Sequence, residues 1–284
     1  MFLVTGATGT VGRAVVDQLL AAGHPVRAIS RRPESAELPA EVEVVRADLS
    51  DPGSLPAAVS DARGVFLSTA GPEIPVHDAN LAKAAAVAGV ERIVKLSSGR
   101  AGDAAATDPI PAWHRAGEDA VRASGVDWTM VRPMGFMSNA LHWAHSVREF
   151  GSVRAPFGQG RIAVVDPRDI AAVAVAALTE TGHAGRIYTV TGPQALSPGE
   201  QTDVLAEILG RALRFEEISP EQARADLLRF GVEPEMAGAI MALRATALES
   251  FTSVVHPTVA EVTGRSPRTF QEWAFDNRAA FTAA

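Results

Sequence analysis

The sequence predicts an α/β protein built on a doubly wound parallel sheet, with a small, mostly helical C-terminal lobe. Three observations support this fold class. The first half of the chain alternates short β-branched runs with alanine-rich helical stretches, which is typical of a parallel sheet covered on both faces. With 284 residues, 47% of them hydrophobic, the chain is long enough to bury a sizeable core. After Gly192 the pattern becomes mainly helical.

The first domain is predicted to span residues 1–196, with residues 134–160 contributing to a substrate pocket. Its strands are expected at 2–5, 25–30, 42–46, 64–69, 92–97 and 128–132, and the sheet is expected to resume at 162–165 and 187–191. The helices between them are expected at 11–22, 52–60, 76–88, 112–124 and 169–178. Sheets of this kind bind ligands at the carboxyl ends of their strands.

The C-terminal lobe is predicted to span residues 197–284. Its helices are expected at 198–209, 220–230, 234–250 and 269–281, and one strand is expected at 214–218. We therefore expect a C-terminal lobe that helps to form the substrate site.

A glycine-rich turn directly follows the first strand and opens the first helix. It reads Val4-Thr5-Gly6-Ala7-Thr8-Gly9-Thr10-Val11-Gly12. Gly6 permits the tight turn, Gly9 lets a pyrophosphate approach the backbone, and Gly12 allows close packing of helix and strand. Unpaired N–H groups at the helix amino terminus favour the phosphates. A merely tight βα turn is the alternative, but the position of the motif at the start of the chain favours a dinucleotide site.

Two arginines, Arg31 and Arg32, follow the second strand. An NAD-selective site usually has an acidic residue there, which holds the ribose 2′-hydroxyl. A basic residue suits a 2′-phosphate instead, so Arg31 predicts a preference for NADPH over NADH. The alternative is that both arginines are solvated on a loop, since arginine is common on protein surfaces.

Further cofactor contacts are expected at the ends of later strands. Asp48 lies where a carboxylate can bind an adenine amino group, or it caps the helix that begins near Pro52, and the sequence leaves both open. Small residues after the fourth strand leave room for the cofactor's ribose. The expected cofactor-binding residues are Gly6, Thr8, Gly9, Thr10, Val11, Gly12, Arg31, Asp48, Leu49, Thr69, Ala70, Gly71, Pro133 and Phe136.

Five segments together resemble an atypical short-chain dehydrogenase/reductase of the NmrA-like group, close to bacterial NAD(P)H:quinone oxidoreductase-like members. They are Gly6-Ala7-Thr8-Gly9-Thr10-Val11-Gly12, Lys95-Leu96-Ser97-Ser98, Arg132-Pro133, Val165-Asp166-Pro167-Arg168-Asp169-Ile170-Ala171 and Val262-Thr263-Gly264-Arg265-Ser266-Pro267-Arg268-Thr269-Phe270. The resemblance covers essentially the whole chain and implies a Rossmann-type sheet that binds NAD(P). It is less specific for the reaction, since the group includes quinone reductases, reductases of specialised metabolism and catalytically silent redox sensors.

The chain departs from the family pattern at the catalytic pair. The resemblance implies Tyr-x-x-x-Lys on the helix before the sixth strand, where the lysine lowers the pKa of the tyrosine so that the phenol can exchange a proton with the substrate. The single tyrosine, Tyr188, lies in a late strand, and the two lysines, Lys83 and Lys95, lie after the fourth strand and inside the fifth. His114 and Glu118 stand at the corresponding positions with the same spacing.

His114 and Glu118 are expected on one face of their helix. Because an imidazole titrates near neutrality, His114 is the candidate proton donor or acceptor, with Glu118 as its partner. The alternative is that His114 is a polar first-turn residue and that Glu118 pairs with Arg122 on the helix surface. Ser97 and Ser98 end the fifth strand, where the resemblance places a substrate-contacting hydroxyl, and the sequence does not choose between them.

An apolar pocket for a flat aromatic substrate is expected beside the nicotinamide. Ordinary core packing is the alternative interpretation of the same side chains. The expected pocket residues are Trp113, Phe136, Met137 and Trp143.

The composition excludes several classes of protein and site. The chain has no cysteine, which rules out disulfides, thiolate metal sites and a cysteine nucleophile. His142 and His145 lack a third ligand at a recognisable spacing, so no metal is expected. A net charge of −7 argues against a nucleic-acid surface, and the longest uncharged stretch, 133–147, is too short and too polar to cross a membrane. No signal sequence is apparent after Met1, so a cytoplasmic protein is expected.

Three functional hypotheses follow. The first is an NADPH-dependent oxidoreductase that transfers hydride to a quinone or a similar conjugated carbonyl, a small aromatic or quinone-like substrate that can take its proton from water. The second is a non-enzymatic NADP(H) sensor that acts through a partner protein. The third is a dedicated reductase or isomerase of a biosynthetic pathway. A homodimer, or a protein partner in the case of a sensor, is compatible with the sequence.

Overall fold

The computed structural model describes residues 1–282, which form two compact units. The first unit comprises Met1–Pro133, Pro167–Val190 and Glu261–Gly264. The second comprises Met134–Asp166, Thr191–Ala260 and the described residues from 265 onwards. This division differs from the predicted boundary after residue 196, because residues 134–166 belong to the second unit and the helix and strand that follow them belong to the first.

Eleven strands occur in the described part of the chain. They are β1 (Phe2–Val4), β2 (Val26–Ser30), β3 (Glu43–Arg46), β4 (Gly64–Leu67), β5 (Arg92–Leu96), β6 (Asp127–Pro133), β7 (Gly135–Phe136), β8 (Ser152–Ala155), β9 (Val164–Val165), β10 (Arg186–Val190) and β11 (Arg214–Glu217).

Eleven α-helices accompany these strands over residues 1–282. They are α1 (Thr10–Ala21), α2 (Leu55–Val59), α3 (Ile74–Val87), α4 (Pro109–Ala123), α5 (Ala144–Phe150), α6 (Pro167–Thr179), α7 (Pro198–Leu209), α8 (Pro220–Arg229), α9 (Pro234–Ala245), α10 (Thr258–Thr263) and α11 (Phe270–Asp276). Short 3₁₀ helices lie at Pro33–Ser35, Pro52–Ser54, Gly99–Gly102, Met137–Trp143, Thr246–Leu248, Ser250–Ser253 and Arg278–Phe281.

The first unit is built on a seven-stranded sheet in the order β10-β6-β5-β4-β1-β2-β3. Every pairing in this sheet is parallel. The chain runs outward from β1 through β2 to β3 and then returns to the other side of β1 at β4. The strand order therefore reverses between β1 and β4, which is where doubly wound sheets bind ligands. The predicted α/β fold class is confirmed.

The core of the first unit explains why its strands could be read from the sequence. All four residues of β4 are buried, as expected for a parallel strand covered on both faces. Leu3, Leu67 and Ile93 are fully buried within one apolar cluster together with Leu81 of α3. Each such side chain stabilises the fold by about 1.5–3 kcal/mol relative to an exposed one. Helices α3 and α4 pack against each other, as do α1 and α6.

The second unit contains two small two-stranded sheets and a separate apolar core. Strand β11 pairs in parallel with β8, and β7 pairs in parallel with β9. The core includes Met137, Val153 and Leu205, with the stacked rings of Phe270 and Trp273 at 5.4 Å between centroids.

Three sequence predictions for this region are wrong in detail. The segment 162–165 does not return to the large sheet, because Val164–Val165 pairs with Gly135–Phe136 in a sheet of its own. The helix predicted at 234–250 ends at Ala245 and continues as two 3₁₀ turns. The helix predicted at 269–281 begins at Phe270, with Thr269 as its N-cap and Glu272 as the partner in a capping box, and it ends at Asp276. Short elements of this kind are set by tertiary contacts rather than by periodicity.

Two kinds of feature are absent from residues 1–282. The described chain holds no helix that is both long and apolar enough to cross a membrane. It likewise holds no group of three or more histidine, aspartate or glutamate side chains placed to bind a metal ion.

Candidate active site

The glycine-rich turn after β1 has the geometry that its sequence predicts. Gly6 adopts a left-handed φ of +60°, and the N–H of Gly9 donates to the carbonyl oxygen of Gly6 at 2.9 Å. Helix α1 begins immediately afterwards, with Gly9 as its N-cap. A Cβ on Gly12 would lie 2.1 Å from the carbonyl oxygen of Gly6, so the helix can approach the turn this closely only with glycine there.

The turn fits the pyrophosphate of a dinucleotide. It lies at the carboxyl end of β1, beside the reversal in strand order, and at the amino terminus of a helix with unpaired N–H groups. A Cβ on Gly9 would be tight already against the Gly6 carbonyl at 3.2 Å. The exposed residues of the turn are Gly6, Thr8, Gly9 and Thr10, whereas Val11 and Gly12 are buried.

The sequence does not reveal how β1 and β4 are joined at this point. The Thr5 hydroxyl donates to the carbonyl oxygen of Ser68 at 2.9 Å and accepts from the Ser68 N–H at 2.7 Å. A Cβ on Gly6 would lie 3.2 Å from the same carbonyl oxygen. The two strand ends are therefore held together directly beneath the turn.

The arginines after β2 remain available to a ligand. Arg31 and Arg32 are exposed, and within residues 1–282 neither side chain makes an ion pair or a hydrogen bond. The Arg31 carbonyl oxygen accepts from Arg46 at 2.7 Å, which fixes the backbone of the loop. Arg13, directly after the glycine motif, donates to the carbonyl oxygen of Glu37 and ties α1 to the same loop. The sequence alone did not predict this contact between Arg13 and the loop after β2.

Asp48 does not cap the helix that follows it. That role belongs to Asp51, whose carboxylate accepts from the N–H of Gly53 at 3.0 Å. One oxygen of Asp48 accepts from the N–H of Ser50 at 2.9 Å, and the other has no partner in the described chain. The capping alternative is therefore wrong, and adenine binding by Asp48 stays a prediction. Leu49 packs at the edge of the first unit's core.

Thr69, at the carboxyl end of β4, leads into a buried pair of charges. Its hydroxyl donates to the carboxylate of Asp78 on α3 at 2.7 Å, and that carboxylate forms an ion pair with Lys95 of β5. The side chains of Asp78 and Lys95 are both fully buried. Ala70 is exposed and Gly71 is half-buried, so small residues border the point where the ribose is expected.

The helix contact over this ion pair depends on a glycine. A Cβ on Gly117 of α4 would lie 2.1 Å from a carboxylate oxygen of Asp78. Gly117 thus lets α4 close over the pair of Asp78 and Lys95 and exclude water from it. One indication of this buried ion pair was present in the sequence. Lys95 lies within the largely apolar segment that forms β5.

Glu118 is a buried carboxylate with four hydrogen bonds. It accepts from the Ser97 hydroxyl at 2.6 Å, from Arg132 at 2.8 and 2.6 Å, and from Arg122 at 2.8 Å. Burial raises the pKa of the Glu118 carboxyl, but the hydrogen bonds from Arg132 and Ser97 outweigh it, so the pKa lies below its ordinary value. The carboxylate is charged and joins α4 to the ends of β5 and β6.

The structure therefore modifies both interpretations of Glu118. The expected pair with Arg122 is present, but the carboxylate is buried rather than on the helix surface. In the described chain it makes no hydrogen bond to His114, so the arrangement does not supply the expected partner for an imidazole proton.

His114 does not titrate near neutrality, which corrects the expectation from sequence. Burial, followed by the charge of Lys95, lowers the pKa of His114 to about 3, and the opposing effect of Glu118 is smaller. Its Nδ1 is buried and has no hydrogen-bond partner in residues 1–282. A protonated Nδ1 would have nothing to donate to, so we assign the proton of the neutral imidazole to Nε2. His114 can offer a hydrogen bond but is not an imidazolium acid at neutral pH.

The two serines after β5 differ in their surroundings. Ser97 is 5% exposed and its hydroxyl is committed to Glu118. Ser98 is half-buried, and among the described residues its hydroxyl has no hydrogen-bond partner. Ser98 is therefore the better candidate for contact with a ligand.

The apolar residues that were predicted beside the nicotinamide fall in different units. Trp113 of α4 and the buried Pro133 belong to the first unit, whereas Phe136, Met137 and Trp143 belong to the second. Met137 is almost fully buried in the second unit's core, with Trp143 packed beside it, as the core-packing alternative expects. Phe136 and Trp113 are half-buried, and their contact with a substrate stays a prediction.

Comparison with known proteins agrees with this geometry. Residues 6–181 match the NAD(P)H-binding family. The chain is 47% identical over 282 residues to the (4-alkanoyl-5-oxo-2,5-dihydrofuran-3-yl)methyl phosphate reductase of Streptomyces griseus, covering 99% of both chains. It is 40% identical to the NAD(P)H azoreductase of Xenophilus azovorans over the full length of both. The NADPH complex of a quinone oxidoreductase from Escherichia coli has a TM-score of 0.85 at 25% identity, covering 98% of this chain and 100% of the other.

The sheet, the glycine turn at its switch point and these full-length similarities agree with one another. The chain belongs to the NAD(P)H-binding family, within the NmrA-like group of atypical short-chain dehydrogenases/reductases, and is an NAD(P)H-dependent oxidoreductase.

Proposed function

We propose that the enzyme transfers hydride from NADPH to a quinone or a similar conjugated carbonyl, and that the reduced product takes its proton from water. The observation that carries this proposal is the state of the two side chains at the positions of the family's tyrosine and lysine. His114 is a neutral imidazole, and Glu118 is a charged carboxylate with four hydrogen bonds. Neither can deliver a proton at neutral pH, so an acceptor whose reduced oxygen is protonated by solvent suits the site best.

Bound NADPH supplies two electrons as hydride, and with one proton from water a quinone becomes a hydroquinone. The chain's own residues bind and orient the cofactor. The Gly6–Gly12 turn receives the pyrophosphate, Arg31 contacts the 2′-phosphate, and the ion pair of Asp78 and Lys95 holds Thr69 in place near the ribose.

Negative charge develops on the acceptor oxygen as hydride arrives. The Ser98 hydroxyl and the Nε2–H of His114 are the available donors that can stabilise it. Glu118 and Ser97 act on this region indirectly, because their hydrogen bonds fix the end of β5 that carries Ser98.

A second candidate function is a reductase in a biosynthetic pathway. The observation that favours it is the full-length similarity, at 47% identity, to a reductase whose substrate is an alkanoyl-oxo-dihydrofuranyl methyl phosphate. Both candidates share a conjugated carbonyl as the acceptor, and they differ in how much of the substrate the enzyme recognises.

The test offers a panel of acceptors together with NADPH or NADH. The oxidation of the reduced cofactor is monitored. A neutral naphthoquinone, an azo dye and an alkanoyl-oxo-dihydrofuran represent the alternatives. The proposal expects turnover of the quinone, with a higher kcat/KM for NADPH than for NADH. A biosynthetic reductase would strongly prefer the oxo-dihydrofuran. If NADPH binds tightly but no acceptor consumes it, the protein is a sensor and the proposal fails.

The matched variant for this experiment is Gly9→Val. A branched side chain at Gly9 would occupy the space of the pyrophosphate, so NADPH binding and turnover should both disappear while the fold persists. Unchanged NADPH affinity in the folded variant would mean that the cofactor lies elsewhere.

A further inference from the structure

The loop after β3 lies directly beside the loop that carries Arg31. In the parallel pairing of β2 with β3, Ser30 stands opposite Arg46, so both strands end at the same level of the sheet. The Ala47 N–H donates to the Ser30 carbonyl oxygen at 3.2 Å, and Arg46 donates to the Arg31 carbonyl oxygen at 2.7 Å. Asp48 follows at once. Because one ribose carries both the 2′-phosphate and the adenine, a 2′-phosphate at Arg31 brings the adenine to this loop.

The carboxylate of Asp48 has one committed oxygen and one that is available to a ligand. The first accepts from the Ser50 N–H at 2.9 Å, and the second has no hydrogen-bond partner within residues 1–282. The backbone of Asp48 is fixed as well. Its N–H donates to the Ser54 hydroxyl at 3.0 Å, and its carbonyl oxygen accepts from that hydroxyl and from the Asp51 N–H. The available oxygen therefore keeps a constant direction.

The next backbone donor, the Leu49 N–H, has no hydrogen-bond acceptor in the described chain. An acceptor oxygen followed by a donor N–H complements the Watson–Crick edge of adenine, where the 6-amino group donates and N1 accepts. Hypoxanthine and guanine present a carbonyl oxygen and an N1–H at the same places, so both contacts would be mismatched. The pair formed by Asp48 and Leu49 therefore suits adenine among the purine bases.

Two side chains of α3 hold this loop. The Asn80 amide donates to the Leu49 carbonyl oxygen at 2.8 Å. The peptide between Leu49 and Ser50 is thereby bonded at both ends, because its N–H is the one that donates to Asp48. One turn earlier on α3, the His77 Nε2 lies 2.8 Å from the Ser50 hydroxyl oxygen. The orientation of the Asp48 carboxylate thus depends on a helix that is distant in sequence.

We propose that Asn80 is a positioning residue that makes the cofactor site selective for adenine. It acts through the peptide after Leu49, which fixes the Asp48 carboxylate so that its available oxygen accepts from the 6-amino group of adenine. His77 assists through the Ser50 hydroxyl. This inference rests on the proposed function for the way in which NADPH lies at the strand ends, but it needs no acceptor and no turnover.

A purely structural role for Asn80 is the alternative. The hydrogen bond from its amide to the Leu49 carbonyl also ties α3 to the loop, and its loss would lower stability in any case. That role alone would weaken the binding of all dinucleotides equally. The proposed role changes the discrimination between dinucleotides that differ only in the base.

The binding test compares NADPH with its analogue that carries hypoxanthine in place of adenine, by fluorescence titration without an acceptor. Wild type should bind NADPH about 10- to 100-fold more tightly, as expected for a hydrogen bond to a charged group, and Asp48→Ala should abolish this preference. Asn80→Ala should reduce it about fivefold or more. Asn277→Ala is the matched control, since the Asn277 amide donates to the Trp273 carbonyl oxygen at the same 2.8 Å, and it should keep the wild-type ratio. No preference in wild type, or an unchanged ratio in folded Asn80→Ala, would overturn the proposal.

The double variant of Asn80→Ala and Asp48→Ala tests whether Asn80 acts through Asp48. It should show the same ratio as Asp48→Ala alone, and a further change would contradict a positioning role. His77→Ala breaks the other link to α3 and should reduce the preference by a smaller factor. If Asn80→Ala does not fold, His77→Ala decides the question, and an unchanged ratio there would overturn the proposal. Because these titrations contain no acceptor, an enzyme that reduces no quinone can still show the expected ratios, so the two proposals fail separately.

Discussion

Two sets of charged side chains in this protein differ in whether their charges are paired within the chain. The buried charge cluster of Asp78, Lys95 and Glu118 is packed between α3, α4 and the ends of β5 and β6, and its charges are all matched. Arg31 and Arg32 are exposed, and no side chain of the described residues pairs with their charges. The first set needs no ligand to be stable, whereas the second set is exposed to solvent and free to contact an anionic ligand.

We expect this difference to separate residues that hold the candidate site in place from residues that contact a ligand. A buried, matched charge fixes geometry, and its loss is felt first as loss of folding free energy. An unmatched arginine contributes little to folding, and its loss is felt in binding. Variants of the two sets should therefore produce different kinds of defect.

The largest effect is expected for Lys95→Met. The substitution keeps most of the side-chain volume but leaves the Asp78 carboxylate buried without its cation, which should lower the free energy of unfolding by about 3–5 kcal/mol. Urea unfolding is the measurement. Lys83→Met is the matched control, since Lys83 is exposed on α3, and it should stay within about 0.5 kcal/mol of wild type. Equal stability of the two variants would show that the buried pair does not stabilise the fold.

Glu118→Gln should have the next largest effect. The amide keeps the shape of the side chain but loses the charge facing Arg132 and Arg122, for an expected loss of about 2–3 kcal/mol at neutral pH. Asp119→Asn, at an exposed neighbour, is the control. Because the folded-state pKa of Glu118 is lowered, its contribution is complete above the ordinary value of about 4.3 and is lost as pH falls through the lower folded value. Melting curves of wild type and variant should therefore converge in acid, and a constant difference would contradict the assignment.

Arg31→Ala belongs to the second set and should leave folding nearly intact. Its expected effect is a loss of NADPH affinity of about tenfold or more with little change for NADH, because only NADPH carries the 2′-phosphate. Fluorescence titration with both cofactors measures this. Arg186→Ala, at an exposed arginine of β10, is the control. Equal affinity of the unmutated protein for both cofactors would remove Arg31 from the site and weaken the contrast between the two sets.

His114→Gln should have the smallest effect on turnover. The amide still offers an N–H, so kcat/KM should fall less than about tenfold. The pH profile of kcat/KM for the wild type should have no inflection near pH 6.5 that is missing from the profile of the variant. The stability of the two proteins, unlike their turnover, should differ in its dependence on pH. The unfolded chain protonates His114 below about pH 6.5, whereas the folded chain does so only near about 3, so wild type should lose stability relative to the variant as the pH falls across this range. A wild-type inflection near neutrality that disappears in the variant would restore the acid role.

The sequence predicted the first unit more closely than the second, for a physical reason. Strands such as β1 and β4 are buried apolar runs, and their composition alone identifies them. The two-residue strands β7 and β9 are too short for any periodicity to exist. Strand β11 was predicted, but nothing in its own residues indicates β8 as its partner.

The candidate site divides along similar lines. The turn at Gly6 and Gly12 was predictable because local backbone geometry demands glycine there. The pairing of Lys95 with Asp78 was not, because it depends on how α3 lies against β5. The pKa of His114 was beyond reach as well, since burial and the neighbouring lysine determine it and neither can be read from a single helix pattern.

The order of strands in the large sheet also bears on how the chain is made. Strand β10 pairs with β6, yet the ribosome completes β6 at Pro133 and must add the segment Met134–Asp166 and then α6 before β10 exists. Until then, β6 is an open edge with unpaired backbone groups on a nascent chain, a situation that invites pairing with another chain. Nascent chains that have exposed β6 outside the ribosome before β10 is available should thus be especially prone to aggregate. Release of β10 should end that vulnerability abruptly rather than gradually.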